Sequence, residues 1–136
     1  MKSFTLKIVT PDGVAYEGQA EELIVRATTG DIGFLARHLD VVAPLGMGRA
    51  TIVIDGNKRY AACIGGMVSV ANGNVTLVPT TFEWAENIDI ARAEASKVRA
   101  EKVLADKHAT KTELTMAEAR LKRALVRTSV ATYRPK

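Results

Sequence analysis

Residues 67–95 read MVSVANGNVTLVPTTFEWAENIDIARAEA, and the fold turns on them because two different periods meet there. At the start, Met67-Val68-Ser69-Val70 and Val75-Thr76-Leu77-Val78 are short strand-like runs on either side of Ala71-Asn72-Gly73-Asn74. That is a hairpin signal, since glycine supplies the positive φ that such a turn needs. From Asn87 or Ile88 onward glycine disappears for the rest of the chain and the one remaining proline is Pro135. An alanine- and charge-rich helical sequence replaces the strands.

Upstream of the junction the strand pattern continues. Phe4, Leu6 and Ile8 alternate with polar neighbours up to a turn at Pro11-Asp12-Gly13. Leu23-Ile24-Val25 is a further strand that stops at Thr28-Thr29-Gly30-Asp31, and Thr51-Ile52-Val53-Ile54 and Arg59-Tyr60-Ala61-Ala62 flank a second hairpin signal, Asp55-Gly56-Asn57-Lys58. Short strands at close, regular spacing predict an all-β sandwich or barrel over residues 1–84.

Downstream, over residues 85–136, two narrow apolar stripes are expected. Ala91, Ala95, Val98 and Ala105 form one, and Leu114, Ala117, Leu121, Ala124 or Leu125, and Thr128 form the other. The polar segment 106–112 separates them, with Thr112 as the N-cap of the second helix and Thr115 as an alternative start. The fold class is thus α+β: a β-sandwich followed by an antiparallel two-helix hairpin. Alanine buries far less apolar surface than leucine, so the hairpin is expected to be weakly held and able to detach.

Composition narrows the function. Of 136 residues, 47% are apolar and 25% charged, the balance of a globular protein. Aromatic residues are only 5%, so the core rests on Val, Ile, Leu and Ala. The single Cys63 cannot form an internal disulfide and reads as a small core residue, in keeping with a reducing compartment. No run approaches the ~20 apolar residues that span a bilayer, so membrane association is expected only through partners. Residues 1–84 carry seven Lys/Arg against eight Asp/Glu, whereas residues 85–136 carry twelve against seven, a net charge of +5. An anionic partner suits that tail, although a solvated helix surface is the simpler reading of charge alone.

Catalytic readings find no support. There is no G-x-x-x-x-G-K-[ST] phosphate loop, and Gly65-Gly66 suits a tight turn or a close backbone approach instead. His38 and His108 lack neighbours at metal-ligand spacing, and Ser69 lies in a strand pattern without a nucleophile's strand–turn–helix context. A nucleic-acid module using the basic helices would need salt-dependent affinity, and the β half offers no aromatic-rich surface for stacking bases. Trp84 sits at the junction as an anchor between the halves.

The ordered motifs resemble a known family. They are Val9-Thr10-Pro11-Asp12-Gly13, Gly30-Asp31-Ile32-Gly33-Phe34-Leu35 with His38, Ala43-Pro44-Leu45, Gly65-Gly66-Met67-Val68-Ser69-Val70, Asn74-Val75-Thr76-Leu77, Ile88-Asp89-Ile90-Ala91-Arg92-Ala93 and Leu121-Lys122-Arg123-Ala124. Together they are similar to the epsilon subunit of bacterial F-type ATP synthases. In one place the chain departs from the pattern. Many members have Pro-Gly before the histidine and a proline two residues after it, where this chain has Ala36-Arg37 and Asp40.

The resemblance implies a non-catalytic rotor part. Its sandwich would grip the gamma subunit and rest on the c-subunit ring, at the cytoplasmic face of the bacterial cell membrane, and couple proton flow to ATP synthesis. Its hairpin would inhibit ATP hydrolysis by extending toward the catalytic alpha and beta subunits. No cofactor is required, but ATP, alone or with Mg, would act as a regulatory ligand that favours the compact state. Carried over from the family's I-D-x-x-R-A pattern, the ATP-binding residues would be Glu83, Ile88, Asp89, Arg92, Ala93, Arg99, Arg123 and Arg127. The residue chemistry fits: a carboxylate can accept from an adenine amino group, and guanidiniums match phosphate oxygens bidentately. The simpler reading has Asp89 capping the first helix and pairing with Arg92 three residues on.

Overall fold

The computed structural model describes residues 2–135. Contacts divide the chain into two units, with the boundary between Trp84 and Ala85.

The first unit is a β-sandwich of ten strands: β1 (Phe4–Thr10), β2 (Gly13–Ala20), β3 (Glu22–Ala27), β4 (Gly30–Phe34), β5 (Val41–Pro44), β6 (Met47–Ile54), β7 (Asn57–Ile64), β8 (Met67–Ala71), β9 (Asn74–Val78) and β10 (Thr81–Trp84). One five-stranded sheet has the order β2-β1-β9-β8-β5 and the other β10-β7-β6-β3-β4. All described pairings are antiparallel except β1 with β9, in which Leu6, Lys7 and Ile8 lie opposite Val75, Thr76 and Leu77.

The alternation read in the sequence sets the core. Phe4, Leu6 and Ile8 are buried from one sheet and Leu23, Val25, Phe34 and Ile52 from the other, with Val68, Val70, Val75 and Leu77 completing the layer. Both expected hairpins are present with two-residue turns. Asp55 and Gly56 have φ of 51° and 77°, and Asn72 and Gly73 have 52° and 78°, the paired left-handed conformation that fits the twist of the flanking strands. Cys63 is buried and free, and burial pushes its thiol up to about 12.

Gly65 and Gly66 do make a close approach. Gly66 has φ 94°, and a Cβ there would lie 2.0 Å from the Val78 carbonyl oxygen. The Gly66 carbonyl accepts from Leu45 N–H at 2.9 Å, and the Gly65 N–H donates to the Gly46 carbonyl at 2.9 Å. This crossing links the end of β7 to the segment between β5 and β6.

The outer face of the first sheet carries an exposed apolar row. Pro44 pairs with Met67, and Met67 with Val78. One step beyond the Ile8–Leu77 pair, Val78 is followed across the sheet by Val9, which pairs with Val14. Met67, Val78 and Val14 are 43%, 46% and 57% exposed.

The second unit begins with a 3₁₀ turn, Ala85–Asn87, followed by α1 (Ile90–Ala105) and α2 (Lys111–Thr132). Neither helix is long and apolar enough to cross a membrane. Two details differ from expectation. The N-cap of α2 is Thr110 rather than Thr112: its hydroxyl accepts from Glu113 N–H at 3.1 Å while the Glu113 carboxylate accepts from Thr110 N–H at 3.1 Å. That reciprocal capping box needs Glu three residues on, which Thr110 has and Thr112 lacks. The buried face of α1 is also different. Ala91, Ala95, Val98 and Ala105 are exposed, and Ala93 and Ala100 are the buried residues.

The stripe on α2 runs where the sequence places it, with Ala117 and Ala124 buried, Leu114, Leu121 and Thr128 half-buried, and Leu125 outside it. The buried side chains of the two helices are thus alanines apart from Val130, and alanine removes little apolar area from water. The Thr128 hydroxyl is buried without a hydrogen-bond partner, a further small cost to the packing.

Candidate nucleotide-binding flank of the hairpin

Asp89 starts the site and the helix together. Its Oδ1 accepts from the Arg92 backbone N–H at 3.0 Å, as expected of an N-cap aspartate. Ile88 before the cap is 8% exposed, and Ala93 at the fourth helical position is fully buried. These are the two positions of a hydrophobic staple, which fixes the angle at which the chain enters a helix. Ile88, Asp89 and Ala93 thus have structural work regardless of any ligand.

The arginines are arranged by helix geometry. Successive residues turn by about 100°, so a residue that precedes a buried one lies on a defined flank. Arg92 and Arg99 each precede a buried alanine, Ala93 and Ala100, and Arg123 precedes buried Ala124. The connection 106–110 is short and reverses the chain. For antiparallel helices the preceding positions fall on the same side of both. Arg127, three residues beyond Ala124, joins that side, as does Arg120, three beyond Ala117.

The acidic residues go the other way. Glu94, Glu101 and Glu118 each follow a buried alanine and fall on the opposite flank. Arg92 and Arg99 are exposed, and Arg123 and Arg127 are half-buried. One flank of the hairpin thus gathers most of its arginines. Like charges gathered on one flank repel, and an anion placed among them relieves that repulsion.

Glu83 belongs to the other unit. It is a half-buried residue of β10, opposite Ala62 on β7, and belongs to the sandwich unit. The structure therefore groups Asp89, Arg92, Arg99, Arg123 and Arg127 on one unit and sets Glu83 on the other. Among the described residues no three His, Cys, Asp or Glu side chains cluster as metal ligands.

Arg59 is a residue that sequence reading passed over. Its guanidinium carbon lies 3.6 Å from the centre of the Trp84 ring, on the sandwich side of the boundary. The available signal was the β7–β10 pairing, which no local pattern reveals.

Known proteins resemble this chain along its length. Residues 3–85 match the family described as ATP synthase, Delta/Epsilon chain, beta-sandwich domain, and residues 86–132 match ATP synthase, Delta/Epsilon chain, long alpha-helix domain. The ATP synthase epsilon chain of Caldanaerobacter subterraneus subsp. tengcongensis is 44% identical over 131 residues, covering 96% of this chain and 94% of the relative. That of Ruminococcus albus is 42% identical over 132 residues, covering 96% and 98%. Among solved structures, a chain of the Euglena gracilis mitochondrial ATP synthase (OSCP/F1/c-ring, rotational state 1) superposes with a TM-score of 0.83 at 19% identity, covering 96% of this chain and 82% of that one. The likeness to that structure is one of fold.

Proposed function

Since the chain belongs to the ATP synthase delta/epsilon family, as a non-catalytic epsilon subunit of the bacterial central stalk, we propose that its hairpin is an ATP-responsive brake on ATP hydrolysis and its sandwich the part that holds it in the rotor. The observation that carries this reading is the shared flank of Arg92, Arg99, Arg123 and Arg127. Three or four guanidiniums on one side of a weakly packed hairpin suit a polyphosphate in one state and acidic protein side chains in another, and the same arginines cannot serve both at once. The Asp89 Oδ2 is the acceptor left for an adenine amino group, because the cap uses Oδ1.

The energetics of the switch follow from linkage. A ligand that binds only the compact state stabilises it by RT ln(1 + [L]/Kd), about 2.7 kcal/mol at a hundred-fold excess over Kd. A hairpin whose buried side chains are mostly alanine sits within reach of such a bias. ATP would be a signal here and would not be consumed. The sandwich would grip the gamma subunit and rest on the c-subunit ring, so that proton flow turns the stalk from the cytoplasmic face of the membrane. The apolar row from Pro44 to Val14 supports a protein partner on that sheet, since exposed apolar strips on soluble domains mark interaction surfaces.

Calorimetry on the full chain with ATP tests the ligand, and hydrolysis by the assembled enzyme tests the brake. Arg123→Ala combined with Arg127→Ala should weaken ATP binding about ten-fold or more, the loss expected for charge-assisted hydrogen bonds, and should speed hydrolysis. Absence of ATP binding to the wild type at millimolar nucleotide would overturn the site. Hydrolysis that stays blocked in the double variant would overturn the arginines' role in the inhibited state.

A further inference from the structure

Antiparallel pairing of β10 with β7 runs from Thr81 opposite Ile64 to Trp84 opposite Ala61. Continuing that register would place residue 86 opposite Arg59, but the strand ends and Ala85–Asn87 turns into a 3₁₀ helix. Arg59 is thus the last β7 residue with a place to fill beside β10. It shares a face with Ala61 and Cys63, both in the core. A guanidinium cannot be sunk into that layer without a large desolvation cost. It lies flat over Trp84 instead, 3.6 Å from the ring centre. The other neighbour of that ring is Phe82, edge-on at 5.0 Å, and both aromatics pack against the core cluster.

We propose that the Arg59–Trp84 stack is a clamp that seals the end of the sandwich and fixes the pivot of the chain at Ala85, so that rearrangement of the hairpin stops there and does not peel β10 from its sheet. The need for such a clamp is visible in β10 itself. It is a four-residue edge strand, half-buried throughout, paired to one neighbour only. Strands of that kind open first. After Trp84 the chain leaves the sheet: the 3₁₀ turn carries an Ile88 N–H to Ala85 carbonyl bond at 3.3 Å, a long contact in an intrinsically poor geometry. A tight stack followed at once by a loose turn localises the bend. The idea rests on the proposed mobility of the hairpin, because a fixed hairpin would need no pivot.

Hydrogen exchange and acrylamide quenching on the full chain test it, and Trp84 is the sole tryptophan, so its fluorescence is unambiguous. In Arg59→Met, the amides of Thr81–Trp84 should exchange about three- to thirty-fold faster, the range expected when a cation–π interaction at a partly buried site is removed. Trp84 should become more accessible to quencher, while β1 and β9 amides keep their rates. Arg59→Lys should restore part of the protection. A double-mutant cycle with Trp84→Leu separates the stack from the other interactions of Arg59: the effects on Thr81–Glu83 amides should be non-additive. Additive effects, or unchanged β10 exchange in Arg59→Met, would overturn the clamp. The same data on α1 amides with and without ATP report separately on hairpin mobility, and α1 rates that ignore ATP would overturn the switch reading while leaving the β10 comparison intact.

Discussion

The Asn72 backbone N–H donates to the Asp40 carboxylate at 3.0 Å, tying the loop between β4 and β5 to the turn between β8 and β9. A charge-assisted hydrogen bond thus holds this loop at Asp40. Asp40→Ala should therefore lower stability by about 1 kcal/mol, the net value of such a bond at an exposed site. Urea unfolding checks this, and Asp40→Asn should recover part of the loss.

Within the same loop Arg37 has φ 65°, where the family pattern has glycine. The left-handed region costs a side chain with a Cβ roughly 1 kcal/mol. Arg37→Gly should accordingly raise stability by no more than about 0.5 kcal/mol in the same titration, since the added freedom of the unfolded chain offsets most of the relieved strain.

Gly66→Ala should be among the most damaging single changes in the sandwich. The added methyl would overlap the Val78 carbonyl at 2.0 Å and sit at φ 94°, so backbone must move. A loss above about 3 kcal/mol is expected. Gly56→Ala is the control, with nothing within 4 Å of its Cβ position, and should cost only the backbone strain, about 1 kcal/mol.

The Cys63 thiol gives an alkaline signature. Burial raises it from 9.0 to about 12 in the folded chain. Between those values the unfolded state releases a proton that the folded state keeps, so this group's contribution to stability is full below pH 9 and is lost as pH rises toward 12. The slope is about 1.4 kcal/mol per pH unit at most. Comparing unfolding of wild type and Cys63→Ala at pH 8 and 10 should show the difference between them narrowing at the higher pH.

Asp89 caps α1, and one substitution can separate that role from its proposed part in ATP binding. Serine is as good an N-cap as aspartate, so Asp89→Ser should keep the helical circular-dichroism signal while weakening ATP binding by about ten-fold through loss of the carboxylate. Asp89→Ala should lose the cap as well, about 1 kcal/mol. Equal ATP affinity in wild type and Asp89→Ser would confine Asp89 to capping.

Legibility in the sequence followed the physics of each element. The hairpins at Asp55-Gly56 and Asn72-Gly73 were readable because their turns demand particular residues. β2, β4, β5 and β10 were not singled out: β2 is a largely exposed edge, β4 contains Gly30 and Gly33, and β5 and β10 have four residues each. Only pairing partners distant in sequence define such strands. On α1, alanines at 91, 93, 95, 100 and 105 point to every side, so its own periodicity cannot choose the buried face. That choice depends on what α1 packs against, which its own sequence does not show. The arginines were legible as residue types, but their common flank depends on that choice of face.

The parallel pairing of β1 with β9 sets an order of events during synthesis. Leu6 must wait for Val75, 69 residues later, before it has its neighbour, and closing so long a loop precedes any reward from the contacts it brings. β1 therefore stays unpaired on one edge until nearly the whole sandwich has been translated. α1 and α2 emerge afterwards, and each makes its helical hydrogen bonds within about a microsecond. In a growing chain the long-range contacts of the sandwich therefore depend on distant segments, whereas the two helices rest on local hydrogen bonds that form as soon as they emerge.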